Sequence, residues 1–537
     1  MVQMRRNFTD YEKSKMEEYL AKKAAFKKRR QELLQELEKV EAKIVKMRAK
    51  YGAVYNKRNP VLTLPVEVIC LIFAFAQLPK SSIKVVWKEV ETSGEDEEDE
   101  DENENEGDEN EDKDDEEDDE DEIVDGRLME VVVSHVCQRW RSISLGFPKL
   151  WTSFRYEARP TVNARPLQRF DIYAERSAAL PLRIWFDFQS EERNPPVNPV
   201  NAQLVEKAIQ HAHRWQYFTM YASDLTVMRP LDLLRDLAAP MLEYLTLVPG
   251  IDVYDRDPDS DMITSMDPCV FKGGAPKLTY LMLGASSVFS LPPLSNITIL
   301  RIERTGYGLP VFGSTPLLEL LSLPSLNNLS LCGNIIGPFH ATSIHMPNLN
   351  SFRVAELDAI WDLLAIIRAP QLHTLVIYMC EFLEGASPPL LDKGYTFPAL
   401  DKLYLLRLDF EPRIVPALTH MTSQATHVFL SEKNIRTILD GGFAGVVWPW
   451  LKTLTCNIKT VETIVEYVTF AKNRPKDLIT FHILPCQLQM FRDELGALRA
   501  VSLVDGHWDI RLDEPFWPHD VAPFEPDYYD CFCLEIY

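Results

Sequence analysis

From Trp215 onward, apolar residues recur in one spacing, Leu-x-x-Leu-x-Leu, usually with Pro one or two residues before it. The copies are Leu242/Leu245/Leu247, Leu278/Leu281/Leu283, Ile297/Leu300/Ile302, Leu318/Leu321/Leu323, Leu326/Leu329/Leu331, Leu349/Phe352/Val354, Leu372/Leu375/Ile377, Leu400/Leu403/Leu405, Leu451/Leu454/Cys456 and Leu478/Phe481/Ile483. Trp215/Phe218/Met220 and Ala425/Val428/Leu430 are degenerate copies. Alternation over the last positions predicts a short strand in each copy. Pro ahead of it predicts the end of the preceding segment, and stretches such as Ala359 to Arg368 between copies are helix-compatible. One such unit cannot bury its leucines alone, so the units are expected to stack into a parallel sheet with one continuous core. Spacing is mostly 19 to 28 residues, widening to 36 after Leu242 and shrinking to 8 where Leu318 and Leu326 compete for one unit.

Ahead of this body the pattern is helical. Leu64-Pro65 predicts a turn into a helix, with Pro65 at its first position and Glu67 opposing the positive end. Val68, Ile69, Leu71, Ile72, Phe73, Phe75 and Ala76 leave almost no polar face. Such a helix spans a membrane or is covered on more than one side, and Val68 to Ala76 falls far short of the ~20 residues a span needs. It is therefore expected to pack on its own domain and present a second face to a partner. A second apolar stripe, Val133, Val136, Cys137 and Trp140, predicts another helix, which Gly146 and Pro148 end before Leu150-Trp151 closes the unit. Downstream, a helix is expected at Pro166 to Ala179, a strand at Leu182 to Phe188, a linker at Pro195, Pro196 and Pro199, and a helix at Gln203 to His213.

Read together, the opening Leu64-Pro65, Glu67-Val68-Ile69, Ile72-Phe73, Val136-Cys137-x-x-Trp140-Arg141 and the closing Leu150-Trp151 resemble an F-box over roughly Pro60 to Trp151. The resemblance implies docking on the Skp-type adaptor of a cullin ubiquitin ligase, through Leu64, Pro65, Val68, Ile69, Ile72, Phe73, Val136, Cys137 and Trp140. The repeat body resembles an irregular leucine-rich-repeat solenoid, a frequent companion of an F-box, without the asparagine ladder of regular repeats. In such a solenoid the residue between the last two apolar positions faces outward: Thr246, Met282, Arg301, Ser322, Ser330, Arg353, Val376, Tyr404, Thr455 and His482. Arg301, Arg353, Tyr404 and His482 are the candidates for contacting a protein substrate.

The fold class is thus α/β: a long N-terminal helix (1–59), a small all-α F-box (60–151) with an insertion at about 91–124, a linker with a first strand (152–201), and the solenoid with a C-terminal cap (202–537). In the N-terminal part, Tyr11 to Tyr51 lacks Pro and Gly. There Tyr19, Phe26, Leu33, Val40 and Met47 step by seven, with Leu37, Ile44 and Tyr51 at the intermediate spacing and Lys23 and Arg30 interrupting. Two readings stand: pairing with a second chain, or a surface helix lying on the F-box. Lys27-Lys28-Arg29-Arg30 likewise reads as a nuclear signal or as a solvated face.

Charge changes the picture in one place. Of the formal charge of −23, −22 falls between Glu95 and Glu122, where 23 acidic residues stand against one lysine. The rest of the chain is nearly neutral, with 17 Lys and Arg against 8 Asp and Glu in residues 1–59. The acidic segment is expected to be disordered, and an insertion costs only ~0.6 kcal/mol per doubling of loop length. It reads either as a solvated loop or as a lure for a basic partner or for the chain's own N-terminal helix. The latter supports a rival function, a scaffold or chromatin-associated binder, against the substrate-recognition subunit that the F-box implies.

Nine scattered cysteines and a charged opening segment predict reduced thiols and an intracellular protein of the cytoplasm or nucleus. Cys531-x-Cys533 has no second pair to complete a zinc site. No Walker loop, Gly-x-Ser-x-Gly elbow or His-Glu-x-x-His is present. Nor do His211 and His213, two apart on a predicted helix, share a face. The reading is a non-enzymatic protein without metal or cofactor, binding neither membrane nor nucleic acid. The aromatic-rich end, with Trp508, Phe516, Trp517, Phe524, Tyr528 and Tyr529, is expected to cap the last repeat.

Overall fold

The computed structural model describes residues 10–56, 60–76, 129–157, 165–188, 199–222, 232–249, 263, 265–284, 287–288, 290–303, 312–333, 335, 343–357, 360–378, 380, 395–406, 408, 412, 414–430, 432–444, 446–456, 465–467, 469–470, 480–483 and 507–510. The acidic segment at 95–122 and the aromatic end beyond Ile510 lie outside them. These residues fall into two compact units, the helices up to Ser144 and the body from Leu145 onward.

In the helical unit, α1 (Asp10–Asn56) runs for 47 residues and is followed by α2 (Val66–Ala76). Pro65 stands just before α2 rather than inside it, its carbonyl accepting the first helical bond from Ile69 at 3.2 Å. The second predicted helix is two: α3 (Met129–Val136) and α4 (Gln138–Leu145). Cys137 makes the break. Its Sγ accepts the Trp140 N–H at 3.4 Å, where an N-cap oxygen usually stands, and its carbonyl accepts Arg141 N–H at 2.9 Å.

The body is a mixed α/β structure around one 14-stranded parallel sheet. Its strands are β1 (Ser153–Glu157), β2 (Leu182–Phe188), β3 (Trp215–Ala222), β4 (Tyr244–Pro249), β5 (Tyr280–Gly284), β6 (Ile299–Glu303) and β7 (Asn328–Cys332). They continue as β9 (Ser351–Ala355), β11 (Thr374–Tyr378), β12 (Lys402–Leu406), β13 (His427–Leu430), β14 (Thr453–Cys456), β15 (Thr480–Ile483) and β16 (His507–Ile510). Neighbours in the sheet follow chain order, while β8 (Ile344–His345) and β10 (Ile367–Arg368) pair separately. The sheet therefore begins at Ser153, inside the stretch read as linker and well before residue 202. Both degenerate copies of the repeat are strands in it. Of the competing copies, Leu326 is the strand; Leu318 belongs to a helix, Ser314–Leu321. Trp508, expected in the cap, lies in β16.

One turn precedes nine of the fourteen strands. The N–H of Leu242, Leu278, Ile297, Leu326, Leu349, Leu372, Leu400, Ala425 and Leu451 each donates to the carbonyl three residues back. In seven of these nine turns the second residue is proline: Pro240, Pro276, Pro324, Pro347, Pro370, Pro398 and Pro449. Proline presets the backbone angle that position needs, so its role is to make the turn as well as to stop the preceding segment. The leading residue is buried in all nine; the next two apolar positions follow it inward in the first eight, and Leu454 does so in the ninth. Leu245, Leu281, Leu300, Leu329, Phe352, Leu375, Leu403 and Val428 are completely buried, each contributing ~1.5–3 kcal/mol. Helices Ser314–Leu321, Ile360–Ile366, Val415–Met421 and Glu432–Asp440 add buried residues such as Leu320, Leu363, Leu418 and Ile435.

At the N-terminal edge of the sheet, α5 (Pro166–Arg176) and α6 (Pro199–Ile209) cover the same body. Pro199, expected in a linker, opens α6. Leu150 and Trp151, expected to close the helical unit, are buried in the body instead: Trp151 meets Tyr173 edge-to-face at 5.2 Å under the Arg176 guanidinium at 4.4 Å. Arg214 secures the end of α5, donating to the Ala174 carbonyl at 3.3 Å, the Leu180 carbonyl at 2.8 and 3.0 Å and the Ser177 hydroxyl at 2.6 Å.

His211, 6.0 Å from the Phe170 ring, is held below its ordinary pKa of 6.5 by burial and then by Arg214, His213 and Lys207, with Asp171 opposing. The unfolded chain takes up this proton first, so stability is full above about pH 6.5 and falls as pH drops toward the lower folded value. Denaturant titrations at pH 7.5 and 5.5 should show that loss in the wild type and a smaller one in His211→Gln. An equal loss in both would contradict the assignment.

Candidate functional site

Two surfaces collect the residues singled out by the sequence. On α2, Ile69 and Phe73 are completely buried, and Phe73 packs edge-to-face on the half-buried Trp140 at 5.1 Å and 70°. Arg139 reaches the Leu64 carbonyl at 2.6 Å, joining α4 to the turn ahead of α2. The core of the unit thus holds Ile69, Phe73 and Val133, with Leu64, Cys137 and Trp140 half-buried around it. Ile69 and Phe73, counted from sequence among the adaptor-binding residues, point inward and support the surface without belonging to it.

The opposite side of α2 remains apolar and open. Val68 is 37% exposed, Leu71 58%, Ile72 38% and Phe75 70%, at i, i+3, i+4 and i+7. Pro65 is exposed as well, and Val136 on α3 is 53% exposed. Leu71 and Phe75 were missed as surface candidates because the family motif does not name them, although the spacing contained them. Exposed apolar side chains in one helical stripe are what a helix laid in a hydrophobic groove presents. The thiol of Cys70, beside this stripe, is raised by burial and then by Glu67.

The second surface is the sheet face opposite the leucines. Strand register places Thr246, Met282, Arg301, Ser330, Arg353, Val376, Tyr404, Thr455 and His482 in one row, as the repeat spacing implied. Ser322 is not in it, because its copy is a helix end. The row is not an open surface, however. Arg301, Arg353 and Tyr404 are 3%, 2% and 5% exposed, and the side chain of His482 lies outside the described residues. Tyr404 belongs to an apolar cluster with Cys332, Ala355, Val376, Tyr378, Leu406 and Phe429. Arg301 donates to Glu303 Oε1 through Nε at 3.1 Å and a terminal nitrogen at 2.8 Å, both side chains buried. Outward-facing positions are buried here because side chains from neighbouring strands pack against one another along the row. Burial, reinforced by Glu303 and Glu356, also pushes the neighbouring Cys332 thiol far up, leaving it protonated.

Toward β1 the same face opens. Arg183 lies over the Tyr217 ring at 4.9 Å, Tyr217 stacks on Tyr244 at 4.3 Å and 11°, and Tyr244 tilts against Tyr280 at 5.4 Å. Arg155 covers Trp185 at 4.4 Å and pairs with Glu157 at 2.6 Å. Arg155, Arg183, Tyr217 and Tyr244 are half-exposed, whereas Trp185 and Tyr280 are buried. Burial pushes the Tyr217 phenol up against the pull of the Arg183 guanidinium. Sequence reading missed Arg155 because β1 fell in the stretch read as linker, and missed Arg183, Tyr217 and Tyr244 because it followed only the position between the last two apolar residues of each copy. The alternation Ser-Phe-Arg-Tyr-Glu was the available signal.

Among the described residues, no three His, Cys, Asp or Glu side chains are placed to hold a metal, and no helix is long and apolar enough to cross a membrane. Neither a protein-family model nor a curated protein matches the chain.

The buried Arg301–Glu303 pair yields a stability test. Glu303→Leu removes the carboxylate that two Arg301 nitrogens reach and should cost about 3–5 kcal/mol, most of it recovered when Arg301→Met is added. Urea denaturation followed by tryptophan fluorescence reads both. A single variant as stable as the wild type would contradict the pairing.

Proposed function

We propose that the chain is the substrate-recognition subunit of a cullin-type ubiquitin ligase. The helical unit is the F-box that docks on a Skp-type adaptor, and the parallel-sheet body is an irregular leucine-rich-repeat solenoid that holds a protein substrate. The carrying observation is the open stripe Val68, Leu71, Ile72 and Phe75 on a helix whose other face already fills a core. A lone helical domain has no use for that second apolar face, and a groove in an adaptor accounts for it. Pro65 and Val136 extend the docking edge, while Ile69, Phe73 and Trp140 hold it in shape.

Substrate contact falls to the half-exposed Arg155, Arg183, Tyr217 and Tyr244, residue types that dominate protein interfaces, and Arg301, Arg353 and Tyr404 stiffen the sheet behind them. In this reading the chain transfers no ubiquitin itself and needs no cofactor. Its parallel register, set strand by strand by the same turn, supports a solenoid over a doubly wound sheet, whose strand order would reverse part-way.

The test is capture of the full chain by a purified Skp-type adaptor. Val68→Asp, Ile72→Asp and Val136→Asp together should weaken capture at least about 100-fold, since each buries a charge in an apolar groove. Thermal unfolding of the sheet body should be unchanged. Full capture by a folded triple variant would refute the docking assignment.

A further inference from the structure

The N-terminal helix α1 serves neither surface described above. It is 47 residues long, about 70 Å at 1.5 Å per residue, and every side chain from Ser14 to Tyr51 is exposed. That removes the reading in which it lies against the F-box along its apolar stripe. Met16, Tyr19, Phe26, Leu33, Leu37, Val40, Ile44, Met47, Tyr51 and Val54, all 46–73% exposed, form the stripe, broken only at Lys23 and Arg30. The stripe fills two positions in seven and is widened only by Leu20 and Leu34 on one flank, with Lys15, Lys22 and Arg29 on the other; it is a coiled-coil seam, narrower than the broad apolar face that inserts into a lipid surface.

The charges beside the seam identify what covers it. In a heptad frame with Met16 at a and Tyr19 at d, positions a, e and g carry Lys15, Lys22, Lys23, Lys27, Arg29, Arg30, Lys43, Arg48 and Lys50 against only Glu36 and Glu41, a surplus of +7. The remaining positions from Glu17 to Ala49 are almost balanced, with Glu17, Glu18, Glu32 and Glu38 against Lys28, Lys39 and Lys46. Positive charge is therefore concentrated where a partner helix would lie. Two copies in parallel would oppose Lys22 to Lys27, Glu36 to Glu41 and Lys43 to Arg48, all like-signed, and would stack Lys23 and Arg30 on their own counterparts. Reversing one copy leaves the same surplus on both helices. The chain's own acidic segment, Glu95 to Glu122, offsets the charge but contains no apolar side chain to cover the seam.

We propose that α1 is one strand of a heterotypic coiled coil whose partner is an acidic helix of another protein. That helix carries apolar a and d positions, Glu or Asp at most e and g positions, and acidic residues facing Lys23 and Arg30. This assignment is independent of the F-box reading, since it concerns a different helix and a different ligand.

The probe is a synthetic peptide of about five heptads with Leu at d, Glu at e and g, and Ile at a except for Glu at the two a positions that face Lys23 and Arg30; its self-pairing is opposed by its own charge. Titrated into the full chain, it should form a one-to-one complex with Kd near or below ~1 μM at low salt, weakening at least about tenfold at high salt. Leu37→Asp with Ile44→Asp should abolish binding, and the matched peptide with Lys at e and g should not bind. Charge reversal at Lys22, Lys27, Lys43 and Arg48 to Glu should invert that preference. The proposal is overturned if the peptide does not bind, or binds the Leu37→Asp, Ile44→Asp variant equally well. It is also overturned if light scattering shows a seam-dependent dimer of the chain alone at micromolar concentration, or if only a variant lacking residues 95–122 accepts the peptide.

Discussion

The structure of the body depends on a turn of four residues. In it, an N–H three residues after a carbonyl closes the loop and swings a leucine under the sheet, and the chain leaves as a strand. Because the turn is the same at Ala239–Leu242, Ala275–Leu278, Leu323–Leu326, Met346–Leu349, Ala369–Leu372 and Phe397–Leu400, each strand starts at the same height. Backbone bonding continues that alignment: the carbonyls of Glu243, Thr279, Thr298, Asn327, Asn350, His373, Asp401 and Thr426 each accept two N–H groups from the next strand. A slip of one residue would turn every leucine outward. This backbone ladder, renewed after each turn, keeps the body in register.

The same alignment fixes what the other face can be. Rows of side chains cross the sheet at constant height, so Arg301 stands between Met282 and Ser330 whatever the loops do. Two apolar clusters, around Tyr404 and around Trp185, flank a polar middle where Arg301 meets Glu303. The chemistry left accessible lies toward β1, where the aromatic ladder ends in Arg183 and Arg155.

Much of this was legible in the sequence, for physical reasons. The repeat spacing identified the strands because each must bury the same three positions, and it put nine outward residues in one row. Burial of that row was not legible, since periodicity assigns a residue to a face but says nothing of what covers the face. The helix at Ser314–Leu321 mimicked a repeat because leucines at i, i+3 and i+5 satisfy either element in a short window. The break at Cys137 was hidden because a thiol rarely caps a helix, and Leu150-Trp151 went to the wrong unit because motif order does not determine which core a residue joins. On α2 the sequence showed apolar residues all round, and only the structure divided Ile69 and Phe73 in the core from Leu71 and Phe75 outside it.

The helical unit then follows from a single asymmetry, a short helix with one face satisfied and one not. Hydrogen–deuterium exchange of the full chain with and without a purified Skp-type adaptor tests this most directly. The account predicts slowed exchange confined to residues 65–76 and 129–140, with the sheet strands unchanged. Protection appearing only in the sheet body, or nowhere, would contradict it.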